Sequence, residues 1–330
     1  MKYGTVPGIE KPVSRIGQGC MMLRSGEGQE ETNRILDTVW ETGVCLFDHS
    51  HIYGGGECEL AFGEWLRLRS QSEPDFRERV VILDKGCHPR HGEKRVSPAH
   101  IREDLAGSLE RLGVDHVDLW LFHRDDPEQP VGPLVETLNE LREQGRITAF
   151  GGSNWTHQRI QEANEYAYRH DLTPFVASSP NFSLAEQVDS PWGPDCVTIS
   201  GPAQADARAW YARNDLALFS WSSLARGFLT GRIRRDNFEE VRDQFEEHTI
   251  RCYVTDDNWE RLERAQQLAA DKGLTVAQVA LAFVLHQPLN IFALVGAVSQ
   301  AEAGANLEAL ETELTQQEID WLDLRAAVRA

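Results

Sequence analysis

Phe47-Asp48-His49-Ser50-His51-Ile52-Tyr53-Gly54-Gly55-Gly56 is the stretch around which this chain is organised. Just before it, Val44-Cys45-Leu46-Phe47 reads as a short buried strand. An acid ends that strand, and a tyrosine follows five residues later beside three glycines. In a barrel of parallel strands, the carboxyl end of a strand is where chemistry is placed. A carboxylate and a phenol in one site suggest proton transfer, and they need a cation to tune them. Lys85 supplies one, at the end of Val80-Val81-Ile82-Leu83-Asp84. His123 ends Val117-Asp118-Leu119-Trp120-Leu121-Phe122 and adds a further group that can polarise a proton.

Working outward, strand-like and helix-like stretches alternate. Residues 3–15, with Pro7-Gly8 in the middle, predict a small hairpin ahead of the main fold. Ile16–Cys20 predicts the first barrel strand. A helix is expected over 30–42, ended by Gly43, and a second over 57–69 with Leu60, Ala61, Trp65 and Leu68 facing inward. Ser97-Pro98 is an N-cap followed by proline, opening a helix whose stripe is Ile101, Leu105, Leu109 and Leu112. Helices over 133–144 and 156–170 flank the strand Ile147–Gly152, and another strand spans 175–179. Residues 180–202 break the rhythm with Pro191-Trp192-Gly193-Pro194, and long irregular loops of this kind are usually functional or mobile. A helix over 203–213 and the strand 217–220 follow, then an irregular charged section over 226–254. Helices at 256–272 and 275–287, a last strand 291–295 and a helix opened by Thr315 complete the chain. Eight strands alternating with helices imply a parallel sheet. Eight units in ~250 residues plus decorations imply an α/β (β/α)8 barrel in one domain over 1–330. No glycine-rich phosphate motif of the open dinucleotide fold is present.

Composition narrows the function classes. The 330 residues are 41% hydrophobic and 26% charged, as in soluble globular chains. No apolar run approaches the roughly 20 residues needed to span a bilayer, and the N-terminus lacks a signal-peptide core. Six scattered cysteines without a Cys-x-x-Cys read as reduced thiols, which suggests the cytoplasm. A net charge of −19 argues against nucleic acid and anionic membranes as partners and leaves oligomeric state open.

In this order, Phe47-Asp48-x-x-x-x-Tyr53-Gly54, Lys85, Leu121-Phe122-His123, Gly152-Ser153-Asn154 and Trp221-Ser222-x-Leu224-x-x-Gly227-x-Leu229-Thr230-Gly231 resemble the aldo-keto reductases, as does Gly296 with Asn306 ten residues on. The resemblance runs from about Tyr3 to Asn306 and is nearer the bacterial sugar-type and potassium-channel-β-like branch. It implies a barrel enzyme that transfers hydride between NAD(P)H and a carbonyl or alcohol. Asp48, Tyr53, Lys85 and His123 would be catalytic. Tyr53 would be the general acid, Lys85 would lower its pKa, Asp48 would orient Lys85, and His123 would donate to the carbonyl. Gly19, Cys20, Met21, Ser153, Asn154, Ser179, Trp221, Ser222, Leu224, Arg226, Gly227, Gly296, Val298, Glu302 and Asn306 would hold the cofactor, with Trp221 stacked on the nicotinamide.

The chain departs from the resemblance at three places. Ser179 stands where glutamine is usual. Val298 and Glu302 stand where cations often hold the 2′-phosphate of NADP, so the family leans to NADP and the local chemistry to NAD. Arg226, Ser299 or Gln300 are the candidates to replace the missing cation. The substrate is expected to be sugar-like or a small aldehyde or ketone, with His49, His51, His88, Trp120, Trp155 and Trp192 as candidate pocket residues. His49 and His51 could chelate as an i, i+2 pair, but no third ligand is spaced to join them, so no metal is expected. Taken singly, each residue has a plainer role. Asp48 could cap its turn, Tyr53 could be a half-buried aromatic, Lys85 a solvated strand end and His123 a satisfied core-edge histidine. The second functional reading is a non-catalytic NAD(P)-binding regulatory subunit on the same fold.

Overall fold

A computed structural model describes residues 1–329. Eight parallel strands close on themselves in chain order: β3 (Ile16–Gly19), β4 (Leu46–Asp48), β5 (Val81–Gly86), β6 (Val117–Phe122), β7 (Ile147–Ser153), β8 (Ala177–Ser179), β9 (Ala217–Ser220) and β10 (Ile291–Val295). β10 pairs back to β3, with Leu294 opposite Gly17, so the sheet has no free edge. The expected (β/α)8 barrel is thus the fold. The hairpin β1 (Tyr3–Val6) and β2 (Ile9–Ser14) precedes it. Its Val6, Ile9 and Val13 join the barrel's interior cluster of Leu46, Val81, Leu83, Leu119, Leu121 and their neighbours. The hairpin therefore stops one end of the barrel with apolar side chains and leaves the carboxyl ends of the strands as the open end.

The outer layer comprises α1 (Gln29–Glu41), α2 (Glu57–Ser72), α3 (Phe76–Arg79), α4 (Pro98–Leu112), α5 (Val131–Glu143), α6 (His157–Arg169), α7 (Ala205–Asn214), α8 (Phe238–Val241), α9 (Glu247–Tyr253), α10 (Asp256–Lys272), α11 (Val276–Leu285), α12 (Gln300–Glu311) and α13 (Gln316–Leu322). The start of α4 follows its sequence signals: the Ser97 hydroxyl accepts from the His100 N–H, Pro98 takes the first turn, and Gly113 ends the helix in the left-handed region. Ile101, Leu105, Leu109 and Leu112 are all buried. The Thr275/Gln278 and Thr315/Glu318 capping boxes both form. Among the described residues, no single helix is long and apolar enough to cross a membrane.

Three expectations are corrected. Leu60 and Leu68 are 49% and 38% exposed. α2 buries Cys58, Glu59, Ala61, Phe62, Trp65 and Leu66 instead, a helical stripe rotated by one position that carries an acid inside. The section 226–254 is not wholly irregular, since α8 and α9 lie in it. Glu302 and Asn306, read only as cofactor contacts, lie on a helix, α12, capped by the Ser299 hydroxyl.

Two glycines are dictated by close approach. A Cβ on Gly151 would stand 2.0 Å from the Ala177 carbonyl oxygen, so β7 and β8 meet only over a bare backbone. Gly56 has φ +99°, and a Cβ there would meet the Arg111 side chain at 2.8 Å. The glycine run after Tyr53 is thus the turn that swings the chain into α2.

Candidate active site

Strand periodicity builds the site. Interior residues of a strand alternate, so the position two beyond the last interior leucine faces the open mouth. Leu46 is followed by Asp48, Leu83 by Lys85 and Leu121 by His123, and the three leucines belong to the interior cluster. By the same step Ala177 leads to Ser179, Phe219 to Trp221 and Leu294 to Gly296. The sequence-predicted residues on these strand ends therefore share one opening. Tyr53 reaches it from the loop after β4, where its backbone N–H donates to the Ser50 carbonyl at 3.0 Å.

Lys85 is the hub. Its ammonium is ion-paired to Asp48 Oδ1, with both side chains almost fully buried, and it lies 5.2 Å from the centre of the Tyr53 ring. The His123 ring meets Tyr53 edge-on at 5.9 Å and His88 at 4.8 Å. Burial alone would depress the Lys85 pKa, but Asp48 and Tyr53 outweigh it and hold Lys85 above its ordinary value. His123 is pushed well below its ordinary value, first by burial and then by the Arg124 and Lys85 cations, so it is neutral. Tyr53 corrects an expectation. The Lys85 charge does pull its pKa down, but burial is larger and the phenol is pushed up to about 12. Tyr53 is therefore firmly protonated near neutrality.

Backbone strain gathers at the same mouth. Cys87, Asn154, Ser222, Ala225 and Arg226 all have positive φ without being glycine. Such residues cost ~1–3 kcal/mol each and persist where surrounding structure over-determines them, often at functional sites.

A profile of the aldo/keto reductase family matches residues 15–324. The chain belongs to that family. A probable voltage-gated potassium channel subunit beta from Oryza sativa subsp. japonica is 28% identical over 98% of this chain and 96% of its own length. The uncharacterized oxidoreductase YrpG of Bacillus subtilis (strain 168) is 26% identical over 94% of this chain and 91% of its own. Among solved structures, the thermostable aldo-keto reductase Tm1743, in complex with the inhibitor epalrestat, superposes with a TM-score of 0.72 at 21% identity, covering 99% of this chain and all of that one.

Members of the aldo-keto reductase family generally bind NAD(P)H, and the residues expected to hold it stand on the strand ends around the four residues. The Trp221 indole is half-buried beside the mouth, and its buried Nε1 has no partner. Gly19 and Gly296 leave the backbone bare on the neighbouring strand ends, with Cys20 buried and Met21 exposed beside them. The Ser153 hydroxyl donates to the Ser179 carbonyl at 2.9 Å. Asn154 donates to the His123 carbonyl at 3.1 Å and accepts from the Val197 N–H at 3.1 Å, so its side chain ties two loops to the site. Ser222, Leu224 and Gly227 line the strained turn after β9. Asn306 lies half-buried on α12 near Gln18 and Ala297.

Other sequence candidates sit elsewhere. Trp155 is fully buried and stacks on Phe122 at 5.0 Å, outside the strands. Trp120 is likewise fully buried in the helical layer. His49 turns outward against Phe62 at 4.3 Å, and burial lowers its pKa to about 3. His51 faces Asp104, its Nε2 3.5 Å from the carboxylate. None of these four side chains lines the opening: Trp120, Trp155 and His49 pack in the outer layer, and His51 lies behind the mouth against the Lys85 carbonyl. Trp192 does approach the site: its ring lies 5.4 Å from Trp221, with the Arg226 guanidinium 4.6 Å from it. Arg226 is ion-paired to Glu246. Ser50, passed over in the sequence, is fully buried and bonded to His123 Nδ1 at 2.8 Å. Its signal was available, since it lies inside the Asp48–Tyr53 loop.

Proposed function

We propose that this aldo-keto reductase interconverts a carbonyl and an alcohol, with Tyr53 giving the proton to the substrate oxygen. The observation that carries the reading is the buried Lys85 ammonium set between the Asp48 carboxylate and the Tyr53 ring, beside a neutral His123. A bound nicotinamide cofactor supplies the hydride. Tyr53 holds its proton in the free protein and can release it to an oxygen that is gaining negative charge. Lys85 stabilises the phenolate left behind, and Asp48 keeps Lys85 charged and aimed. His123, uncharged, can donate to the carbonyl oxygen without offering it a competing proton of high acidity. The exposed Trp192 and half-buried His88 border the opening, which suits a sugar-like substrate or a small aldehyde or ketone.

NAD(H) is the favoured cofactor. Glu302 Oε2 accepts from the Val298 N–H at 2.9 Å, placing a carboxylate at the start of α12. That position is where a 2′-phosphate is expected, and a carboxylate repels one while suiting a ribose hydroxyl. Arg226, the candidate replacement, is engaged by Glu246 and Trp192. Fluorescence titration should show NADH binding at least as tightly as NADPH, and a strong NADPH preference would overturn this assignment.

The likeness to a protein named as a potassium channel subunit beta supports a second reading, a nucleotide-binding subunit that regulates a partner. Tyr53→Phe separates the two. An aldehyde panel with NADH and NADPH should show turnover that falls by ~10²–10⁴-fold in the variant while cofactor binding persists. Turnover equal to wild type would remove Tyr53 as the acid, and cofactor binding without turnover of any carbonyl would favour the regulatory subunit.

A further inference from the structure

We propose that Ser50 is a positioning residue that fixes the tautomer of His123, so that Nε2 carries the proton and points it at the substrate oxygen. This deepens the carbonyl-reducing reading and rests on it for its catalytic meaning, although the tautomer itself does not.

The geometry poses a problem with one proton and two claimants. The Ser50 hydroxyl lies 2.8 Å from His123 Nδ1 and 3.1 Å from the Lys85 carbonyl oxygen. It has a single proton to give. If the proton goes to Lys85, then His123 must carry hydrogen on Nδ1 to donate back to Ser50, and Nε2 is left as a lone pair. A lone pair there would repel a carbonyl oxygen. If the proton goes to His123, Nδ1 accepts and Nε2 is the N–H.

His51 decides between them. Its backbone N–H donates to the Lys85 carbonyl at 3.0 Å, and its ring Nδ1 lies 3.1 Å from the same oxygen. A bare Nδ1 would set two lone pairs against each other, so Nδ1 carries hydrogen. This holds whether His51 is neutral or is an imidazolium whose Nε2 also faces Asp104. The carbonyl oxygen has two lone pairs, and His51 takes both. With two donors already on the Lys85 carbonyl, the Ser50 proton is directed mainly along the shorter contact to His123 Nδ1, and the 3.1 Å approach to Lys85 is the minor arm of a bifurcated bond.

The network is held from behind. Asp104 accepts from the Cys87 N–H at 2.8 Å and from Arg95 at 2.6 Å, which fixes the carboxylate facing His51. The His123 carbonyl accepts from Arg124 at 2.8 Å and from Asn154 at 3.1 Å, which fixes the backbone that carries the ring. The groups that bear on the His123 ring are thus Ser50, Tyr53, His88, Arg124, Lys85 and His51, and Ser50 bonds to it directly. Burying His51 and Ser50, two side chains with no direct part in the chemistry, gives the neutral imidazole one orientation of its proton.

Nitrogen-15 spectroscopy of histidine-labelled protein tests this in the free chain, with His123→Gln to assign the signal. The expected wild-type pattern is an unprotonated Nδ1 and a protonated Nε2. In Ser50→Ala the pattern should move toward a mixture of tautomers. With a carbonyl substrate, Ser50→Ala should lose on the order of tenfold or more in kcat with little change in KM, as when a polarising donor is weakened. A wild-type Nδ1–H, or imidazole signals unchanged in Ser50→Ala, would overturn the proposal. Should Ser50→Ala fail to fold, the wild-type spectrum alone decides. Should the wild type turn over no carbonyl, the reductase reading fails while the tautomer result still stands.

Discussion

Asp84 and Lys85 are consecutive on β5 and equally buried, at 0% and 3% exposure, yet the pleat sends them to opposite sides of the sheet. Lys85 enters the barrel mouth and meets Asp48, an opposite charge. Asp84 enters the helical layer and meets Glu59 of α2, a like charge, while Arg111 answers the other Glu59 oxygen. Nothing else bonds to either Asp84 oxygen or to Glu59 Oε1, so a proton on Asp84 is given to the Glu59 carboxylate. Burial first, and Glu59 second, hold Asp84 well above the usual carboxylate range, so it keeps its proton. Burial of an ionisable group therefore does not by itself mark chemistry. What distinguishes the mouth is a matched charge at an opening, where a proton donor can reach a substrate.

The largest expected effect is at Lys85→Met. Turnover should fall by ~10²–10⁴-fold if Lys85 serves the Tyr53 proton transfer. Stability should fall as well, by ~3–5 kcal/mol, because Asp48 is left buried and unpaired. The double variant Lys85→Met/Asp48→Asn should regain much of the stability and none of the turnover, as read by urea denaturation and aldehyde reduction. Recovery of turnover in the double variant would show that the ion pair serves folding alone.

Arg111→Met removes the counter-charge on the other side of the sheet. Glu59 has no exposure and Arg111 is 28% exposed, so the loss should sit near the low end of the buried-pair range, about 3 kcal/mol. Turnover per folded molecule should be unchanged. A selective loss of kcat at full stability would mean that the outer cluster acts on Lys85 through β5.

These two sites also show what the sequence carried. Asp48, Lys85 and His123 were legible because each follows a strand that can be recognised by its apolar run, and strand alternation then fixes which way they point. The eight-strand barrel was legible for the same reason, since every strand is a short run that stops at a polar residue or a glycine. The back of the sheet was not. Asp84 looked like the last residue before Lys85, and nothing in Glu57-Cys58-Glu59-Leu60 says which acid turns inward. That depends on the rotation of α2, set by Arg111 reaching across from α4 and by Gly56 making room for it. Trp155 and His49 failed as pocket residues because aromatic character is shared by pockets and cores. The net rise of the Tyr53 pKa was hidden because burial has no local signature in sequence.

Asp84→Asn sharpens the comparison through pH. In the folded chain Asp84 binds its proton more tightly than in the unfolded chain, where the pKa is ~3.9. Its contribution to stability is complete below that pH and is lost as pH rises toward the folded-state value, at ~1.4 kcal/mol per unit. A carboxamide is neutral throughout and keeps a donor to Glu59 at every pH, where the carboxyl has one only while protonated. The variant should thus match wild type near pH 4 and exceed it at pH 7 in urea midpoint. Parallel stability curves for the two proteins would show that Asp84 is ionised in the folded state.

The smallest effect is expected next to Glu59, at Leu60→Ser. Were Leu60 on the inner face of α2, as its spacing with Ala61 and Leu68 suggested, truncating it to a polar residue would cost at least the ~2–5 kcal/mol of a large-to-small core change. The structure instead leaves Leu60 half in solvent, and exposed substitutions away from caps and cores stay within ~0.5 kcal/mol. The measurement is a urea midpoint compared with that of Trp65→Ala, which lies on the buried stripe and should lose ~3–5 kcal/mol. A large loss at Leu60 with a small one at Trp65 would mean that α2 is rotated. Glu59 would then leave the helical layer, Asp84 would lose its like-charged neighbour, and the contrast between the two faces of β5 would collapse with it.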